Sequence, residues 1–404
     1  MVLEKRELSS RNRIVRLDDS LQIPASAIER LAVALLALRV FMECSWGSIV
    51  RSNLVLASLH FDAIVRCIVL ALCLLILARR STRLNILFLC LSCFGMAALV
   101  VSAIFALDSF VLIDFLVVAA VSFVHPRKLC KTYLLAVSFA IAAVMFLSLV
   151  GYTPMVDVIP NGRLVFGYGF IHPNVLGGLF LSVVCAQTYY CWESKWWGLA
   201  PVEAVLFAAF AKAVLSSNAS AILILFVGAI GVIGHFWNQS LWHGVRLGRA
   251  STTALIAVPL VLMLGMLVLV ANYKGLDGVA AFADGITHYR PRFASNYYEA
   301  NGGFTLFGRP FVSVPAHHNG GAFSAVDSAY AYFSLVFGIF PLIVCGASYV
   351  ACIIRAKRGV VHPFLLVAIL LFAVFALVEG LPMHLYSNVT LLLLPCLART
   401  GAKP

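Results

Sequence analysis

The sequence predicts an all-α, polytopic transmembrane protein of about 12 helices, with one long, partly helical loop on the outer side of the membrane. Three observations predict it. Apolar residues make up 62% of the 404 and charged residues 11%, with a mean hydropathy of +0.99. Soluble domains hold roughly 45–50% apolar and about 25% charged residues, so a chain of this composition must use lipid as its solvent. Apolar runs recur along nearly the whole length, and the basic residues between them alternate in abundance from one connection to the next. One crossing of the hydrocarbon core takes about 20 residues.

The runs fall near 29–47, 53–78, 84–107, 109–125, 132–150, 170–191, 198–215, 217–235, 252–272, 328–354, 361–378 and 383–398. They divide the chain into a basic tail (1–28), nine helices (29–272), a long loop (273–327), three helices (328–398) and a short tail (399–404). The first 28 residues carry Lys5, Arg6, Arg11, Arg13 and Arg16. They are too long and too charged for a signal peptide, so the first helix is expected to stay as an anchor. The cysteines lie mostly inside apolar runs, as at Cys67, Cys73, Cys90 and Cys93. They read as small core residues without a disulfide framework.

With the amino terminus in the cytoplasm, twenty Lys and Arg fall on the inner side and six on the outer. The six are Arg51, Arg163, Lys274, Arg290, Arg292 and Arg309, and Arg39, Arg66 and Lys212 lie within runs. This positive-inside bias predicts a multi-pass protein with both termini cytoplasmic. The net charge of +12 then reads as topology, with no nucleic-acid surface implied.

Two outer connections exceed a simple hairpin: 151–169 and 273–327. The second is rich in Tyr, Phe, Gly and His, a composition that favours order. Outer arginines run against the topology rule and need a compensating reason. Arg163 precedes His172-Pro173-Asn174 at the start of an apolar helix, where Pro suits the first turn and the amino end favours anions. Arg290 and Arg292 flank Pro291, and Val326-Asp327-Ser328-Ala329-Tyr330 leads into the next helix. Arginine grips phosphate oxygens with a two-pronged fork, so this set suits a lipid-linked phosphate, with Asp327 and His172 as candidate bases. Blander roles stand beside these. Arg163 could snorkel or pair with Asp157, His172 or Asp327 could cap a helix, and His317, His318 and Asn319 could face solvent.

Within the runs, Arg39/Glu43 and Asp62/Arg66 have i,i+4 spacing and can neutralise themselves on one helix face. Asp114, Glu203 and Lys212 have no local partner. A Walker A sequence, HExxH and Gly-x-Ser-x-Gly are missing, and Asp18-Asp19 is a lone doublet in a basic tail.

From about residue 150 to 395, the chain resembles the bacterial polysaccharide polymerases and O-antigen ligases, the Wzy-type superfamily of lipid-linked glycosyltransferases. The matching parts are Arg163, Gly169-Phe170-Ile171-His172-Pro173-Asn174, Thr287-His288-Tyr289-Arg290, Leu306-Phe307-Gly308, Val326–Tyr330 and Phe337-Gly338-Ile339, with Glu379 and Asn388 near the end. Ligases usually carry His-Asn near the end of the loop. Here His318-Asn319 lies eight residues before Asp327, which favours a polymerase.

The resemblance implies transfer of a glycan from undecaprenyl diphosphate to an acceptor glycan on the outer face of a bacterial cytoplasmic membrane. It implies no cofactor and no metal, with a flippase and a chain-length regulator as expected partners. Arg163, Arg290 and Arg292 would hold the diphosphate. Asp327, His172 or Glu379 would take the proton, and Asn174 and Tyr330 would orient the groups. The rival readings are an O-antigen ligase and a flippase or carrier of twelve helices.

Overall fold

The computed structural model describes residues 25–51, 61–80, 86–158, 164–170, 172–192, 197–215, 217–237, 245–287, 289–310, 326–357 and 359–397. The chain is mostly helical, with fifteen α-helices among the described residues. They are α1 (Ala25–Arg51), α2 (Phe61–Arg80), α3 (Ile86–Ala106), α4 (Phe110–Val121), α5 (Pro126–Leu149), α6 (Pro173–Cys191), α7 (Leu199–Ala213), α8 (Asn218–Trp237), α9 (Arg249–Ala271), α10 (Asp277–Thr287), α11 (Arg290–Ala300), α12 (Ala329–Val336), α13 (Ile339–Ala356), α14 (Pro363–Val378) and α15 (Val389–Leu397). Five of these are long and apolar enough to cross a membrane: α5, α6, α8, α9 and α13. Large apolar side chains such as Phe139, Phe226, Val261 and Ile343 are exposed on these helices. That arrangement suits lipid and would drive aggregation in water.

Small residues bring the helices together. A Cβ on Gly228 of α8 would come within 2.7 Å of the Ala204 methyl on α7, a contact only small side chains permit. Tyr133 on α5 is fully buried, and its hydroxyl lies 2.6 Å from both Ser182 Oγ on α6 and the Tyr386 carbonyl. Ser182 also accepts from the Val389 N–H. This chain of bonds ties α5 and α6 to the two short 3-10 turns before α15, Leu381–Met383 and Leu385–Ser387. Buried Cys44, Cys73, Cys130 and Cys185 are free thiols in the apolar core. Cys90 and Cys93 stand at CxxC spacing on α3, and their side chains lie outside the described residues.

Three features depart from a simple count of runs. The connection 151–169 contains an antiparallel strand pair, β1 (Val156–Val158) with β2 (Leu164–Phe166). A second short pair, β3 (Val245–Arg246) with β4 (Val360–Val361), joins two connections that flank α9 and α14. Third, the run 328–354 is two helices, α12 and α13, broken at Phe337-Gly338.

The break is a docking point. Gly338 has φ +91 and Gly308 has φ +84, both in the left-handed region where a Cβ is penalised. A Cβ on Gly308 would sit 2.0 Å from the Val336 carbonyl oxygen, and one on Gly338 would sit 2.4 Å from the Gly308 nitrogen. Three backbone hydrogen bonds cross this contact: Arg309 N–H to Val336, Ile339 N–H to Thr305 and Phe340 N–H to Leu306. The Leu306-Phe307-Gly308 and Phe337-Gly338-Ile339 motifs are thus two halves of one strap. Ser102 Oγ on α3 donates to the freed Phe337 carbonyl at 2.7 Å, so the broken helix leaves that acceptor satisfied.

Candidate functional site

The long connection folds back onto the helices through α11. Ala294 and Tyr297 are completely buried against Met266 and Val270 of α9 and Ala331 and Leu335 of α12. Burying one large side chain such as Tyr297 contributes roughly 1.5–3 kcal/mol, and the small Ala294 lets the helix approach closely. Tyr289 precedes α11 in a left-handed conformation at φ +63, and Pro291 sets the first turn. Arg290 is thereby held at the helix start, with its side chain 15% exposed.

Four chain segments meet around Arg290 and Glu379. Arg290 Nη2 donates to Glu379 Oε1 at 3.0 Å, and Nη1 lies 3.4 Å from Asp327 Oδ2. Asn174 Nδ2 donates to the same Glu379 oxygen at 2.9 Å. Asp327 belongs to the extended stretch before α12. Ser328, not Asp327, caps that helix by accepting from the Ala331 N–H, so the Asp327 carboxylate is free to face Arg290. Glu379 follows α14 in an extended conformation, and its carbonyl accepts from the Ala329 N–H at 3.2 Å. The two acid-bearing segments are therefore joined through their backbones.

Electrostatics follow from this geometry. Burial pushes the Glu379 carboxyl up to about 7, against the pull of Arg290. The neighbouring Asp327 charge pushes the same way. Burial also raises Asp327 above the ordinary carboxylate range. Two buried carboxyls beside one arginine titrate as a pair, and burial favours the protonated form of each. Glu379 Oε2 makes no hydrogen bond among the described residues. Arg290 Nη1 is buried and makes none either, its approach to Asp327 being an ion-pair distance only. An anion that binds Arg290 through Nη1 would therefore compete with Asp327 for that edge.

The other residues singled out in the sequence lie as follows. His172 caps α6, its Nδ1 accepting from the Asn174 N–H at 3.2 Å. Used this way, a neutral ring carries its proton on Nε2. Tyr330 donates to the Ala373 carbonyl at 2.9 Å, which joins α12 to α14. Arg292 is exposed, and its charge bears on the Tyr273 phenol. Asn388 is buried in its own turn, donating to the Pro382 carbonyl and accepting from Thr390. Arg163, His317, His318 and Asn319 lie outside the described residues.

A second ionic group was invisible to spacing. Arg39 and Glu43 do pair along α1 at 3.1 Å. Arg39 also grips Asp114 of α4 at 2.7 Å, which supplies the partner Asp114 lacks locally. Asp114 accepts from the Leu385 N–H, and His384 Nδ1 lies 3.2 Å from Glu43 Oε1. The network anchors the segment Leu381–Ser387, which starts two residues after Glu379. Ligand atoms of Glu43, Asp114 and His384 lie within 4.8 Å of one another, a spacing that suits a cation. Arg39 already supplies positive charge there. Arg66 likewise reaches Asp108 at 3.5 Å, while the Asp62 side chain is outside the described residues. Lys212 donates to Asn218 at 2.6 Å.

Compared with protein families, with curated proteins and with solved structures, the chain matches none.

Proposed function

We propose that this protein is a polysaccharide polymerase that crosses a bacterial cytoplasmic membrane about twelve times and transfers a glycan from undecaprenyl diphosphate to an acceptor glycan on the outer face. The observation that carries the reading is the meeting of Arg290, Asp327, Glu379 and Asn174, drawn from four distant segments. The positive-inside charge pattern supports an outer-side position for all four segments. A cation and a carboxyl raised by burial are the two groups this transfer needs. Arg290 binds the diphosphate through its Nη1 edge, which the diphosphate takes over from Asp327. Glu379 takes the proton of the acceptor hydroxyl as its oxygen attacks the anomeric carbon. The bond from that carbon to the phosphate oxygen breaks, and its electron pair leaves with undecaprenyl diphosphate. One displacement inverts the anomeric centre. Asp327 balances Arg290 before donor arrives, and Asn174 orients Glu379.

Among the candidate bases, Glu379 is favoured over His172, whose Nδ1 lone pair is taken by the helix cap. A carrier reading has one observation in its favour, because broken helices such as α12–α13 are frequent in transporters. The test is reconstitution of the purified protein with lipid-linked repeat units. Longer glycan together with released undecaprenyl diphosphate supports the polymerase. Movement of intact substrate across the bilayer without lengthening supports a carrier.

A further inference from the structure

A separate cavity, which Arg290 does not line, lies between the end of α9 and α11. Its volume is 290 Å³, and Asn272, Tyr273, Lys274, Ser295, Tyr298 and Glu299 are among the residues that line it. This is near the lower end of the range for small-molecule sites, roughly 300–1,000 Å³, and suits a mono- or disaccharide. Resting on the polymerase reading above, we infer that this cavity is a subsite for the sugar rings of the acceptor glycan.

The lining has the chemistry of a carbohydrate site. Both tyrosine rings are held from behind. Tyr273 donates its hydroxyl to Asp284, and Tyr298 packs edge-on against Phe304 with centroids 4.8 Å apart. Fixed aromatic faces offer flat apolar area to the C–H side of a sugar at little entropic cost. Ser295 is 4% exposed and lines the cavity. Its hydroxyl can both donate to and accept from a sugar hydroxyl. The cavity's one cation, Lys274, is paired with Glu299 at 2.8 Å. The cavity thus carries no excess positive charge, which favours a neutral polyhydroxyl ligand over a phosphate. Ser295 and Glu299 lie five and nine residues beyond Arg290 on the same helix. At 1.5 Å per residue that is about 8–13 Å along the axis, a span a glycan of a few rings covers.

The probe is a set of oligosaccharides released by mild acid from the host's own surface polysaccharide. It is titrated into full-length protein in detergent micelles, followed by saturation-transfer NMR. Wild type should bind, and Tyr298→Ala and Ser295→Phe should each weaken binding about tenfold, equivalent to roughly 1.4 kcal/mol. Lys274→Ala, at an exposed position, guards against misfolding in the other two and should weaken binding by a smaller factor. Arg290→Ala and Glu379→Gln should bind the probe as wild type does while failing to lengthen glycan. No binding by wild type, or full binding by both Tyr298→Ala and Ser295→Phe, overturns the subsite even if the protein polymerises. Displacement of the probe by glycerol phosphate overturns it in favour of a lipid headgroup site. Failure of the polymerase reading shows elsewhere, as absence of lengthening with lipid-linked substrate.

Discussion

Replacing Glu379 with Gln removes the proposed base while keeping its shape. Gln can still accept from Asn174 and Arg290 through its carbonyl oxygen, so the contacts at 2.9 and 3.0 Å have a replacement. A positioned general base contributes about 10²–10⁴-fold, and Glu379→Gln should lose that factor in turnover. Because burial lifts the carboxyl from 4.5 to about 7, the wild-type rate should rise with pH up to about pH 7 and fall about tenfold per pH unit below it. Stability should move the other way. A carboxyl with a raised value in the folded protein adds most stability below about 4.5, and that contribution is lost as pH rises through about 7. The gap corresponds to something on the order of 3 kcal/mol. Glu379→Gln should therefore be as stable as wild type at acid pH and as stable or more so at about pH 8. The assays are glycan lengthening with purified protein and thermal unfolding in micelles across the same pH range. A variant within about threefold of wild-type rate at neutral pH, or a flat wild-type profile between about pH 5 and 8, would refute Glu379 as the base.

Arg290→Ala should abolish lengthening, since it removes the diphosphate cation and leaves two buried carboxyls facing each other. Arg290→Lys should recover only part of the activity, because an ammonium lacks the two-pronged contact; full activity in either variant, measured by polymer length, contradicts the assignment. Excess EDTA should leave lengthening unchanged, and recovery by added magnesium after a loss would direct attention to Glu43, Asp114 and His384. Asp114→Asn breaks a buried ion pair, a change that typically costs about 3–5 kcal/mol, and should lower the thermal midpoint; an unchanged midpoint would mean that the network does not anchor the Leu381–Ser387 segment. Gly338→Ala forces a left-handed backbone and a clash at 2.4 Å, and should expose the Leu306–Arg309 strap to protease under conditions where wild type resists.

Individual residues were more legible in the sequence than their meeting. Arg290 and Asp327 stood out because outer-side arginines and helix entries are rare and local signals. Glu379 was reached only through resemblance. The bond from Arg290 to Glu379 spans 89 residues and that from Asn174 to Glu379 spans 205, and neither separation leaves a trace in periodicity. The same holds for Arg39 and Asp114, 75 residues apart, where the i,i+4 signal named only Glu43. The α12–α13 break hides because Phe337-Gly338-Ile339 continues an apolar run, and hydropathy responds to transfer energy and not to φ. The strand pair at Val156–Phe166 escaped notice because three-residue strands are too short to show alternation. At Asp327-Ser328 two good capping residues stand side by side, and only the geometry shows that the serine caps and the aspartate is released.

The central claim is that this protein makes a glycosidic bond at the Arg290–Glu379 cluster. The most direct measurement reconstitutes wild type and Glu379→Gln in liposomes with undecaprenyl-diphosphate-linked repeat units and follows glycan length and released undecaprenyl diphosphate together. Wild type should form longer glycan with one lipid diphosphate released per bond, and Glu379→Gln should form neither. Lengthening that survives in Glu379→Gln, or substrate that crosses the bilayer intact while no diphosphate is released, would contradict it.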